Sequence, residues 1–256
     1  MTKQRNGRNV LALAAALLAV AGLPVAAGAQ AEIHGFVEGA YGVRTAESPV
    51  HDGTQDFTLQ ESRAQLRLTA YSDVGEGFLR LDFLNDQVDG DGTDVEVREG
   101  FLRFTTLGDR LDVKAGRQAL TWGTGDLVFV NDLFPKDWNS FFAGREDQYL
   151  KAPSDAIRLG FYGLPFDVDF VLTPEFTPDR TPMPGNRFSI GMPPGAGWPR
   201  TPTSTAENME FALRLSRYVG NFTAAFYGYR GFFKTFEGAR ANPAFDPSAP
   251  LDPFGR

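Results

Sequence analysis

The chain has 256 residues, 32 acidic against 25 basic side chains for a formal charge of −7, no cysteine, and 23 phenylalanines. The lack of cysteine excludes a disulfide scaffold, a thiolate metal site and a thiol nucleophile. The acidic balance argues against nucleic acid as a partner, because phosphate binding needs a basic face. Aromatics at 13% and 28 glycines, with a mean hydropathy of −0.25, point to a β protein rather than a bundle of membrane helices.

Residues 1–29 read as a secretory signal peptide. Lys3, Arg5 and Arg8 form a positive head, Val10 to Leu23 is apolar, and Ala27-Gly28-Ala29 offers small residues for cleavage. The apolar stretch is shorter than the ~20 residues a membrane span needs, and Pro24 interrupts it. Removing it takes away three positive charges and leaves −10 on an exported remainder, residues 30–256.

That remainder alternates apolar and polar residues, the mark of strands with two differently solvated faces. Nine strands are readable in chain order. Ile33 to Arg44 sets Val37, Tyr41 and Val43 against Glu38. Glu61 to Tyr71 sets Ala64, Leu66 and Leu68 against Glu61, Arg63, Gln65 and Arg67. Leu79, Leu81 and Phe83 oppose Arg80 and Asp82; Gly100, Leu102 and Phe104 oppose Glu99 and Arg103; Leu111, Val113 and Ala115 oppose Asp112 and Lys114. Ile157, Leu159 and Phe161 then oppose Arg158; Val168, Phe170 and Leu172 oppose Asp167 and Asp169; Phe211, Leu213 and Leu215 oppose Glu210 and Arg214. The last, Asn221 to Phe233, is aromatic on both faces.

A soluble sandwich would alternate too, so the connections decide. Tight joins at 73–77, 107–109, 163–165 and 219–221 are rich in Gly, Asp, Asn and Pro, and they alternate with long joins at 46–56, 85–94, 119–154, 174–208 and from 234 onward. Short periplasmic turns and long external loops are the layout of an antiparallel up-and-down transmembrane β-barrel in the cell outer membrane. A cation facing lipid at mid-depth would cost roughly 2–4 kcal/mol. Arg63, Arg67, Arg80, Arg103, Lys114, Arg158 and Arg214 share the polar parity with Glu61, Asp82, Glu99, Asp112, Asp167, Asp169 and Glu210, so all are expected to line a hydrated lumen. Arg98 and Arg117 break the parity beside long joins, where exposure is cheap or a bulge resets the register. Nine is odd, whereas bacterial single-chain barrels have even strand numbers. The chain is therefore expected to be the N-terminal part of a longer barrel, the alternative being a tenth strand that escapes the pattern.

The stretch Ala115 to Val128, with Gly116-Arg117-Gln118 followed by Trp122-Gly123, resembles the Gly-Arg-Gln segment of alginate-export-type and related porin-like families. In those families a strand ending Gly-Arg-Gln passes an aromatic-Gly pair and enters a loop. The resemblance is sharp from Leu111 to about Trp138 and elsewhere extends only to strand layout. It implies a monomeric-type outer-membrane channel for an elongated or anionic solute, or a porin of unassigned solute.

The loop Leu120 to Pro153 is unusually aromatic for an exposed segment, with Phe134, Trp138, Phe141 and Phe142 among Asp126, Asp132, Lys136, Asp137, Arg145, Glu146 and Asp147. It either folds into the mouth as a constriction, with Asp126, Asp132, Phe134, Lys136 and Trp138 on it, or packs on neighbouring loops as a cap. Asp89 to Asp94 only superficially resembles a calcium loop, since strands flank it. His34 and His51 lack a nucleophile partner. No catalytic, cofactor or metal set is expected. The expected partners are outer-membrane lipid and a hydrophilic solute, and the sequence carries no signal of oligomeric state. The function expected is a channel; the alternative is a non-channel barrel, either an enzyme or a sheath for a partner.

Overall fold

The computed structural model describes residues 30–43, 45, 57–88, 92–123, 132–182, 188 and 201–235. The signal segment 1–29, His51, the Asp89–Asp91 tip, Asp126 and the end of the chain from 236 lie outside the described residues. Nine strands form one antiparallel meander: β1 (Gln30–Val43), β2 (Phe57–Ser72), β3 (Gly75–Asp86), β4 (Gly92–Thr106), β5 (Leu111–Gln118), β6 (Ser154–Phe161), β7 (Asp167–Thr173), β8 (Glu210–Val219) and β9 (Phe222–Arg230). Each pairs with its sequence neighbour, and β1 and β9 are the two edges. The only α-helix among the described residues is α1 (Trp138–Phe142).

The register carries the alternation across the whole sheet. Directly opposed residues share a face, so the pairs Glu38–Arg63, Arg67–Arg80, Gln65–Asp82, Arg80–Glu99, Arg103–Lys114, Lys114–Arg158 and Asp169–Arg214 place these charges on one polar face. Glu61, Asp112, Asp167 and Glu210 fall on the same face by the same registers. The other face carries Leu66, Leu81, Leu102, Val113, Leu159, Phe170 and Leu213. Several of its side chains, among them Ile33, Val37, Phe83, Val95, Phe104 and Ile157, are exposed. Most of the apolar band is thus accessible, with Leu79 and Val97 its buried members.

The two parity exceptions resolve differently. The register shifts opposite Arg80 and Leu81, where Glu99 and Val97 are their partners and Arg98 is the extra residue. This bulge lets Arg98 turn to the polar face, where it is 2% exposed. Arg117 stays on the apolar face at the end of β5, where its guanidinium makes a two-point ion pair with Asp155 of β6 at 2.9 and 3.0 Å. The join expected over 85–94 is shorter than it reads, because Asn85–Thr93 and Asp86–Gly92 still pair, leaving residues 87–91 to connect the strands. Connections 119–153 and 174–209 keep their length.

Gly116, in the Gly-Arg-Gln stretch, has φ +130°, and a Cβ there would lie 2.3 Å from the Gly100 carbonyl oxygen and 2.8 Å from the Phe101 Cα. Both collisions are with backbone, so neither side can yield cheaply. Gly116→Ala should therefore destabilise the folded chain by about 2 kcal/mol or more, read as a lower urea midpoint in detergent. Gly108→Ala, in an open turn with nothing within 4 Å, should cost less, and equal losses at the two positions would contradict the close-approach argument.

Candidate functional site

Residues 132–151 fold onto the polar face of the sheet. They double back on themselves, with Lys136 bridged to Lys151, Asp137 N donating to the Leu150 carbonyl at 2.8 Å and Ala152 N to Pro135 at 3.0 Å. A third piece of chain joins alongside: Trp138 N donates to the Arg180 carbonyl and Arg180 N to that of Lys136, both at 2.8 Å. Asp137 caps α1 by accepting from Ser140 N at 2.9 Å, which fixes where the helix starts. A 3-10 turn, Asp147–Tyr149, returns the chain to the wall.

The two ends of this insert meet the sheet by different physics. Its root is apolar: Leu120, Trp122 and Phe134 pack with Ala156 of β6, Val171 of β7 and Ala212 of β8. Trp122 stands edge-on to Phe134 at 5.0 Å and tilted against Tyr227 of β9 at 6.1 Å. Its tip is polar. Arg145 pairs with Glu61 of β2, and Tyr149 accepts from Gln65 Nε2 at 2.8 Å. The Tyr149 ring lies 3.9 Å from the Arg63 guanidinium and 4.8 Å from that of Arg98. Arg80 donates to Gln148 Oε1 at 3.0 Å, and Arg98 to the carbonyls of Gln148 at 2.9 Å and Lys151 at 2.8 Å. Arg180 ties the same assembly to Glu96 of β4 and, at 3.3 Å, to Asp137.

Covered charges need partners, and these have them. Arg63 lies 3.8 Å from Glu61 and 3.7 Å from Asp82, Arg80 meets Glu99 at 2.5 Å, Lys151 pairs with Asp132, and Lys234 with Glu210. Buried Asp179 accepts from Lys136 N at 2.8 Å, Trp138 Nε1 at 3.0 Å and Thr235 Oγ1 at 2.5 Å. Burial works against the charge on Arg145 and Arg180, but Glu61 in one case and Glu96 with Asp137 in the other outweigh it and raise both pKa values. For Lys136 burial wins over Asp132 and Asp179, and its pKa falls below the ordinary 10.5.

Of the residues expected in the constriction, Asp132, Phe134 and Lys136 are buried inside the insert's own packing, and the Trp138 indole donates to Asp179. Lys136 Nζ donates to the carbonyls of Asp132 at 2.7 Å and Phe134 at 2.5 Å. The wall residues Glu61, Arg63, Arg80 and Asp82 lie under or beside the tip. Arg67, Arg103, Asp112, Lys114, Arg158, Asp167, Asp169 and Arg214 lie nearer the tight turns, where Arg103 pairs with Asp112 and Arg158 with Asp169, each at 2.6 Å. Arg214 stands 3.7 Å from Asp169. Sequence reading did not single out Glu96, Gln148, Tyr149, Asp179 or Arg180 as site residues. Only the charge density at 145–147 hinted that the tip binds a charged surface. Comparison of the chain with family models, with curated proteins and with solved structures returns no match.

Two outcomes follow. Glu61→Gln leaves the Arg145 and Arg63 guanidinia buried without that charge, which should weaken tip docking by about 3 kcal/mol, roughly a hundredfold in its equilibrium. In a chain with no native cysteine, Ser140→Cys, 1% exposed in the docked state, reports this as faster labelling by a polar thiol reagent. Unchanged labelling would show that Glu61 does not hold the tip. Separately, a lysine whose folded pKa is depressed releases a proton on folding, so its contribution to stability rises with pH through the window from its folded pKa up to 10.5. Protease resistance of the insert should accordingly increase from neutral pH towards that limit, and Lys136→Met should flatten the rise.

Proposed function

We propose that the chain forms the wall of an outer-membrane β-barrel channel for hydrophilic solutes, with residues 132–151 as an inward-folded constriction. The observation that carries this reading is the insert's position on the charged face of a sheet whose other face is an exposed apolar band. A band of that kind suits lipid, where a single Arg or Lys would cost roughly 2–4 kcal/mol at mid-depth. The charges described on it, the Arg117–Asp155 pair with Arg217 of β8 and Arg230 of β9, sit near strand ends, where an interface would place them. A curled sheet is supported by the insert's simultaneous contact with β2–β4 at its tip and β6–β9 at its root. Edges β1 and β9 run in the same direction, so their direct pairing would be parallel, whereas antiparallel closure would need an odd number of further strands.

The likeness of residues 111–138 to alginate-export-type porins agrees with a channel. A second reading, a barrel that does not conduct, is favoured by one observation: the charges beneath the insert are already paired, as in a filled mouth. Planar-bilayer recording separates the two. Replacing residues 138–149 by a short Gly-Ser linker should raise single-channel conductance several-fold while heat-modifiable mobility is retained. A protein that inserts, stays silent and is unchanged by the replacement would favour the non-conducting barrel. Recovery of the natively expressed protein in a soluble periplasmic fraction would overturn both.

A further inference from the structure

Below the insert's tip, the polar face is organised in rows that cross the strands. One row holds His34, Arg67, Arg80 and Glu99, each directly opposite the next. The next towards the tight turns holds Thr69, Phe78, Phe101 and Gly116, and the one after it Glu76, Arg103, Lys114 and Arg158. An apolar row therefore runs between two basic ones. Phe78 and Phe101 are stacked at 4.9 Å with 20° between their planes, and beside Phe101 the row continues into a glycine.

Like charges directly opposite one another destabilise a sheet, and Arg67–Arg80 and Arg103–Lys114–Arg158 are such neighbours. Acids relieve three of these cations: Glu99 pairs with Arg80, Asp112 with Arg103 and Asp169 with Arg158. Among the described residues, nothing relieves Arg67. It makes no ion pair or side-chain hydrogen bond with them, and its buried Nε has no acceptor among them. Lys114 has no carboxylate within ion-pair distance, and its Nζ sits 3.7 Å from the Phe101 ring centroid.

We infer that this strip is a recognition site for an aromatic monocarboxylate. The ligand ring extends the Phe78–Phe101 stack, its carboxylate accepts from Arg67 in the manner of a two-point guanidinium pair, and Lys114 adds a second positive charge at the far side of the rings. Gln148, held by Arg80 at 3.0 Å, puts the insert's tip at the border of the strip. The inference rests on the channel reading only in requiring that solute reach this wall.

The test uses the full chain folded in detergent micelles and the fluorine NMR signal of 4-fluorobenzoate, with fluoroacetate as an anion lacking the ring and 4-fluorobenzyl alcohol as a ring lacking the charge. The expected result is saturable broadening by 4-fluorobenzoate alone. Arg67→Gln should weaken it at least about tenfold, as loss of a charged hydrogen bond implies. Phe78→Leu, which keeps an apolar side chain in the strand, should also weaken it and serves if Arg67→Gln does not fold. Equal binding of fluoroacetate, binding unaffected by both substitutions, or no saturable binding would overturn the proposal. Bilayer conductance recorded on the same preparation keeps the two readings apart: a conducting protein that ignores 4-fluorobenzoate loses this site and keeps the channel, and a silent one that binds it does the reverse.

Discussion

Charge cannot be left without water or a partner, and the architecture follows from where this chain has put its charges. Apart from Arg117, Asp155, Arg217 and Arg230, all near strand ends, the charged side chains of the strands share one face. That face is then covered over its loop-side half by a segment that brings opposite charge to meet them: Arg145 to Glu61, Arg180 to Glu96, and the Tyr149 ring between Arg63 and Arg98. An isolated buried ion would cost several kcal/mol. The insert and the sheet thus complete each other: Arg145 and Arg180 find Glu61 and Glu96 on the strands, and Arg98 finds the Gln148 and Lys151 carbonyls on the insert.

The division between an apolar root and a polar tip has a mechanical consequence. Contacts of Trp122 and Phe134 with Ala156, Val171 and Ala212 are non-directional and insensitive to salt or pH, so the root is a fixed point. The tip is held by ion pairs and by hydrogen bonds to guanidinium groups, whose strength depends on protonation and, where partly exposed, on screening. Any motion of the insert should therefore pivot at β6–β8 and lift away from β2–β4. The rows that carry Arg67, Phe78 and Phe101 lie on those same strands, next to the moving end.

How much of this was legible in the sequence depends on the range of the interaction. All nine strands and the shared face of the charged residues from Glu61 to Arg214 named above were readable, because alternation is local and the register of a meander is set by its tight turns. Arg98 announced its bulge by breaking parity. The root of the insert was hidden because Ala156, Val171 and Ala212 lie on the polar parity, and small apolar residues there look like noise in a period-two pattern. The tip was hidden for another reason: Glu61 and Arg145, like Glu96 and Arg180, are 84 residues apart, and nothing in a single sequence pairs one charge with another over that distance. The aromatic content of 134–142 signalled a need for shelter that Phe134 finds and Phe142, 53% exposed, does not, and the side chains that meet the strands are Arg145, Gln148 and Tyr149.

On β1 and β9 most side chains are exposed on both sides, because the insert's polar tip reaches only as far as β2 while its root touches β9 through Tyr227 alone. Glu38 and His34 on β1 therefore stay exposed, although the register sets them on the polar face directly opposite Arg63 and Arg67. Whatever pairs with the β1 edge would continue the row that contains Arg67, and would also decide how much water reaches it. The β1 edge and the cation without a described partner are thus coupled, since a strand added at β1 would lower the local dielectric and make an unpaired Arg67 more costly. A ligand carboxylate at that guanidinium would then contribute more, because fewer waters compete for it.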